Sequence, residues 1–287
     1  MKFQRLIVLL CCLVTLSAQA ETSVWKVAKG DDYLYIGGTI HLLSKADFPL
    51  PEGFSTAYQD SDMVVLETDM AALQSTDYQR RILEETSYSG GDSIIGHLSD
   101  DTIRSLKAYL DERGIPAAPM FRLKPGMLSM TLSVVEIQRL GLTEAGVDHY
   151  FHRQALNDGK TLRYLESPDE QIRFLVDMGK GQEDEIIRHT LLEMKELPHY
   201  LDAMRSAWRS GDMEKLETAG LDTWSNEFPE VYATLVTDRN RNWVPEIERL
   251  LQTSDTELVL FGALHLVGKE GVLALLKDRG YQVEQLD

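Results

Sequence analysis

Two short motifs carry most of the chemistry that this sequence can offer. Gly38-Thr39-Ile40-His41 follows the run Tyr33–Gly37, and Gly262-Ala263-Leu264-His265 follows Leu258–Phe261, with Leu42 and Leu266 after the two histidines. A glycine just beyond a strand permits a sharp turn and close backbone approach to a bound group. In an open α/β sheet, ligands gather at the carboxyl ends of the strands. Two imidazoles brought there from opposite ends of the chain can face one pocket, and Glu67, after the apolar run Met63–Leu66, adds a carboxylate. Two imidazoles and a carboxylate with open positions suit a borderline divalent ion. Such an ion lowers the pKa of a bound water and polarises a carbonyl. Taken singly, each histidine is better explained by a turn or a helix cap; the matched contexts argue for a site.

The elements that must position these residues read as strands interleaved with helices. Val24–Ala28 and Tyr33–Gly37 flank Lys29-Gly30-Asp31-Asp32 as a hairpin, and Met63–Glu67, Thr161–Glu166, Glu257–Gly262 and Gln282–Leu286 are further strands. Helices are expected over Ser99–Arg113, Met127–Leu140, Val147–Leu156, Asp169–Met178, Glu183–Leu197, Ala203–Arg209, Met213–Thr218 and Gly271–Asp278. A longer one, Pro229–Leu251, is expected to break near Pro245. The fold class is α/β, with a central, mostly parallel sheet and a large helical insertion over roughly residues 99–250. No Pro- or Gly-rich linker divides the chain, so one domain is expected over residues 21–287.

The first 20 residues read as a cleavable secretion signal: Lys2 and Arg5, eleven mostly apolar residues from Leu6 to Leu16, then small residues at Ala18 and Ala20. Eleven helical residues span about 17 Å, short of the roughly 30 Å hydrocarbon core. Cleavage after Ala20 removes both cysteines, Cys11 and Cys12, and predicts a periplasmic or secreted protein with no disulfide and no stable membrane insertion. Loss of Lys2 and Arg5 takes the formal charge from −17 to −19, which argues against nucleic acid and disfavours anionic lipid headgroups. The hydrophobic fraction of 43% allows a sizeable core. No His-Glu-x-x-His, Gly-x-Ser-x-Gly or P-loop motif occurs.

A wider set of residues resembles the TraB/GumN family, which is related to the Tiki metalloproteases and more distantly to erythromycin-esterase-like and ChaN-like proteins. It runs from Tyr33-Leu-Tyr-Ile-Gly-Gly-Thr-Ile-His41, Leu50-Pro51 and Val65-Leu66-Glu67 through Gly146-Val-Asp148-His-Tyr-Phe, Gly159-Lys160 and Leu165-Glu166-Ser-Pro-Asp-Glu-Gln171. It closes with Arg239-Asn240-Arg-Asn-Trp243, Phe261-Gly-Ala-Leu-His265-Leu-Val-Gly268, Gly271 and Gly280-Tyr281. The resemblance implies a sheet built from two related halves, each carrying one Gly-x-x-His. Through the Tiki relatives it also implies metal-dependent peptide hydrolysis. His41, His265 and Glu67 would hold manganese or cobalt, with zinc as a further option. The Tiki proteins are membrane-anchored, and nothing here matches that anchor. Substrate, peptide or small molecule, does not carry over, nor does oligomeric state.

On this reading Glu67 is either the third ligand or the general base, and Glu166 is a second candidate base. Arg239 can hold a substrate carboxylate or stabilise developing negative charge, with Asn240 donating a hydrogen bond in the same place. Asp148 can orient a ligand histidine. Each has a plainer reading: Glu166 as a residue at a helix start, Arg239 as a surface ion pair, Asp148 as an exposed helix residue. His149 and His152 share a helix face, although Tyr150 and Phe151 between them suggest an interface. His97, His189 and His199 read as surface residues, Glu183-Asp184-Glu185 as a solvated helix start, and the four tryptophans as core or groove lining. Two rival classes stand beside the metallohydrolase. One is a metal-independent esterase-like hydrolase with a histidine base; the other is a non-catalytic haem or ligand binder using His41 or His265.

Overall fold

The computed structural model describes residues 22–287, so the expected secretion signal lies outside the described residues. The chain opens with the antiparallel hairpin β1 (Val24–Lys29) and β2 (Asp32–Thr39), in which Lys29 and Asp32 pair across a two-residue turn. With β4 (Met63–Leu66), β6 (Thr161–Tyr164), β7 (Glu257–Gly262) and β8 (Gln282–Gln285) they form one six-stranded sheet, ordered β6-β4-β7-β2-β1-β8. The four strands β6, β4, β7 and β2 are mutually parallel; β1 and β8 continue the sheet antiparallel. A two-residue ribbon, β3 (Leu42–Leu43) with β5 (Glu144–Ala145), stands apart. The sheet is thus α/β and mostly parallel, as the alternation of strands and helices implies. β4 is buried at every position, and β7 at all but its last, because helices cover both faces.

The helical residues fall into two groups separated by β6, so the expected 99–250 insertion is two crossovers on either side of an edge strand. The first group includes helices Asp100–Glu112 and Pro125–Arg139; the second includes Pro168–Asp177, Glu183–Ser210, Met213–Gly220 and Asp238–Leu250. Leu106, Leu110, Leu128, Leu132, Ile187 and Leu191 build a second apolar core away from the sheet. Glu183–Ser210 is one 28-residue helix that runs through Pro198, where two shorter helices were expected. One end buries Ile187 and Leu191 in the second core and the other buries Trp208 in the first, which outweighs the hydrogen bond that proline cannot donate. Pro245 likewise sits inside Asp238–Leu250 without a break; the irregularity lies upstream, in a π-turn over Ala233–Thr237. Helices Glu52–Asp60 and Thr76–Glu85 have no counterpart among the expected elements. Among the described residues no helix is long and apolar enough to cross a membrane.

Candidate active site

Because β2, β4, β6 and β7 are parallel and adjacent, their carboxyl ends deliver Thr39, Glu67, Glu166 and Gly262 to one edge of the sheet. β2 and β7 are neighbours, with Thr39 paired to Gly262, so the two Gly-x-x-His motifs lie side by side. Beyond the strands they diverge. His41 leads straight into β3, whereas Ala263–His265 make one 3₁₀ turn. The helix Val147–Asp158 brings Asp148 to His41, and Gly146 is what lets it come so close. A Cβ on Gly146 would stand 2.0 Å from the Ile40 carbonyl oxygen, and the Gly146 N–H donates to the His41 carbonyl at 3.0 Å.

Asp148 accepts from the Thr39 hydroxyl on Oδ1 and from His41 Nδ1 on Oδ2, the latter at 3.0 Å. His41 therefore carries its Nδ1 proton toward Asp148 and turns Nε2 to the pocket. The ring is 67% exposed there, and the Asp148 charge raises its pKa to about 9 against the opposing effect of desolvation. His265 is buried and held differently. The Asn240 amide donates to the carbonyls of Glu270 (2.8 Å) and His265 (3.3 Å), so its Oδ1 accepts from His265 Nδ1 at 2.7 Å. This fixes the tautomer and leaves Nε2 as an acceptor, which Arg239 Nη1 fills at 3.0 Å. Burial, and then the neighbouring Arg239 charge, push the His265 pKa down to about 3, so it is neutral.

Arg239 is the hub. Nη2 reaches Glu67 Oε2 at 2.7 Å and Glu166 Oε1 at 2.6 Å, and Nε reaches Glu166 Oε2 at 3.1 Å. Trp243 Nε1 adds a 3.2 Å bond to Glu166 Oε2, and Gln171 Nε2 one of 2.5 Å to Oε1. Glu166, whose side chain is only 4% exposed, has its pKa raised by burial against the pull of Arg239. It is thus a buried anchor for Arg239 rather than a base open to substrate. Ser167 caps the helix that follows through a capping box with Glu170, which sets Glu166 at its entrance. Glu67 differs. Burial would raise its pKa, but the charges of Arg239 and His41 and the Gly262 N–H (2.6 Å to Oε1) hold it down at about 2. Glu67 Oε1 and His41 Nε2 lie 3.3 and 3.9 Å from the point that a Gly262 Cβ would occupy, so both converge on the space this glycine leaves open.

The expected metal triad is His41, His265 and Glu67. Both histidines turn Nδ1 to an oxygen partner, the orientation metal-ligating imidazoles adopt. Yet among the described residues no group of three His, Cys, Asp or Glu side chains could hold an ion. The physical reason is Arg239: its guanidinium takes His265 Nε2 and Glu67 Oε2, so a cation already fills the place a divalent ion would need. With Arg239 seated there, the donor set does not fit a metal. Asn240, expected as a donor to substrate, spends both amide groups on His265 and two carbonyls.

Sequence reasoning missed Thr39, Gln171 and Trp243 as partners of these groups; their positions beside His41, Glu166 and Arg239 in the motifs were the available signal. His149 and His152 stack at 6.3 Å, His152 on the buried face of the Asp148 helix, and neither lines the pocket. His189, expected at the surface, is buried against Trp224 and Phe228. Above the polar floor opens a cavity of about 490 Å³ whose walls are largely aliphatic, among them Val134, Ile137, Leu197, Leu201, Met204 and Leu235.

A doubly covered, mostly parallel sheet with a histidine–carboxylate–arginine cluster at its strand ends defines an α/β protein with a pocket at the strands' carboxyl ends. Its sequence matches the TraB/PrgY/gumN family over residues 23–285, and the chain belongs to that family. The comparisons with curated proteins and with solved structures give no match.

Proposed function

We propose that this protein, exported by its N-terminal signal, hydrolyses a carbonyl substrate with an apolar body, an ester or an amide, without a metal ion. The observation that carries this is the convergence of Glu67 Oε1 and His41 Nε2 on the open space at Gly262, beneath apolar walls. Glu67 is ionised and His41 protonated at neutral pH. Glu67 orients the attacking water and accepts its proton; His41 hydrogen-bonds the carbonyl and then protonates the leaving group. A carboxylate held at about 2 is a weak base, so stabilisation of charge by His41 matters more here than proton abstraction. Arg239 and Glu166 keep Glu67 in place.

The test is incubation of the purified protein with a panel of aryl esters and a diverse peptide mixture, with and without chelator. His41→Ala and Glu67→Gln are expected to lower kcat/KM at least a hundredfold. Cleavage indifferent to both substitutions would sink the proposal. A second reading, the metal-dependent peptidase implied by the resemblance, is favoured by the paired Nε2 orientation and requires Arg239 to leave His265. Activity lost to chelator and restored by manganese, cobalt or zinc would put that reading first.

A further inference from the structure

We infer that the cavity takes the aliphatic acyl chain of the substrate rather than a peptide strand, an inference that rests on the hydrolase reading for its chemistry but not for its binding. The cavity is two-ended in character. Thr39, His41, Glu67, Arg239 and His265 gather at the strand ends, and the remaining lining comes mostly from the helices Pro125–Arg139, Glu183–Ser210 and Met213–Gly220 and the segment Val231–Val236. Helical walls spend their backbone N–H and C=O groups on their own i→i−4 bonds. A peptide in this space would bury an amide at every residue with little to satisfy it, a heavy penalty. The polar side chains on these walls are few. Arg205 has both Nη atoms bound, to Ser44, Asp47 and Asp202, and only its buried Nε without a partner, while Trp224 and Tyr232 bring one polar group each. The ribbon β3–β5, two residues long, is too short to hold a peptide by strand addition.

An aliphatic chain asks for none of these partners. Charge points the same way. The cationic groups that line the cavity are each matched by a carboxylate: Arg239 by Glu67 and Glu166, Arg205 by Asp47 and Asp202, His41 by Asp148. The cavity therefore selects for apolar area rather than for a charged substrate. Its volume of about 490 Å³ lies within the range of small-molecule sites.

Two measurements on the purified protein separate this inference from the hydrolase reading. The first is binding of dodecanoic acid, followed by quenching of tryptophan emission and by calorimetry, where no reaction is needed. The second is kcat/KM for 4-nitrophenyl esters from acetyl to dodecanoyl. Saturable one-to-one binding is expected, with kcat/KM rising about two- to fourfold per methylene until the cavity is full, the upper figure matching about 0.8 kcal/mol per buried methylene. Val134→Gln and Met204→Gln, two half-buried wall residues, are expected to flatten that slope at least fivefold between the acetyl and dodecanoyl esters, with circular dichroism reporting the fold. Dodecanoate bound with no ester cleaved would keep the acyl site and remove the hydrolase. Esters cleaved with no chain-length slope and no dodecanoate bound would do the reverse. Tighter binding of an apolar hexapeptide than of dodecanoate would overturn the inference.

Discussion

Asp148 receives Thr39 and His41 together, and so sets the charge of the more exposed of the two site histidines. With its pKa raised to about 9, His41 is an imidazolium below that pH and loses its proton as pH rises through it. A rate that needs the imidazolium is therefore expected to be flat near neutrality and to fall tenfold per unit above about pH 9. Asp148→Asn removes the carboxylate charge, so the limb is expected to slide toward the ordinary histidine value, about 6.5. An NMR titration of the imidazole beside a pH–rate profile checks both. A rate that instead climbs through pH 9 would make neutral His41 the base. Arg239→Leu leaves Glu67 and Glu166 buried without their cation and is expected to destabilise the fold by about 3–5 kcal/mol, measured by urea unfolding.

Strand positions were legible at the level of elements because each is a short apolar or alternating run bounded by turn residues, as at Met63–Leu66 and Glu257–Gly262. That His41, His265 and Glu67 share one end of the sheet was also readable, since each follows a strand. Two things were not. The order β4-β7-β2 depends on pairings between residues far apart in sequence, which leave no local mark. The seat of Arg239 depends on the π-turn Ala233–Thr237 and on how the helix after it approaches His265, so a motif could name the arginine without placing it. Two element-scale changes test this picture. Pro198→Ala restores a donor inside a continuous helix and is expected to stabilise the protein by about 1–3 kcal/mol, read as a higher Tm. Gly262→Ala places a methyl 3.3 Å from Glu67 Oε1 and is expected to leave the fold intact while lowering kcat/KM at least tenfold, checked by circular dichroism and initial rates.

For the whole molecule, the buried neutral His265 makes stability fall on the acid side. The unfolded chain takes up a proton below about pH 6.5, whereas folded His265 resists until about 3. Between pH 7 and 4.5 this alone is expected to remove about 2–3 kcal/mol from the unfolding free energy in urea. Glu67 adds to the loss below its unfolded value, as pH falls toward 2, while Glu166, raised by burial, works in the opposite sense. Strand order has a further, temporal consequence. β7 lies between β4 and β2, so until the last part of the chain is available the sheet exists only as the pairs β4–β6 and β1–β2. A polypeptide emerging amino end first thus cannot complete its sheet until nearly all of it has emerged. Pairings between residues so far apart in sequence make for slow folding.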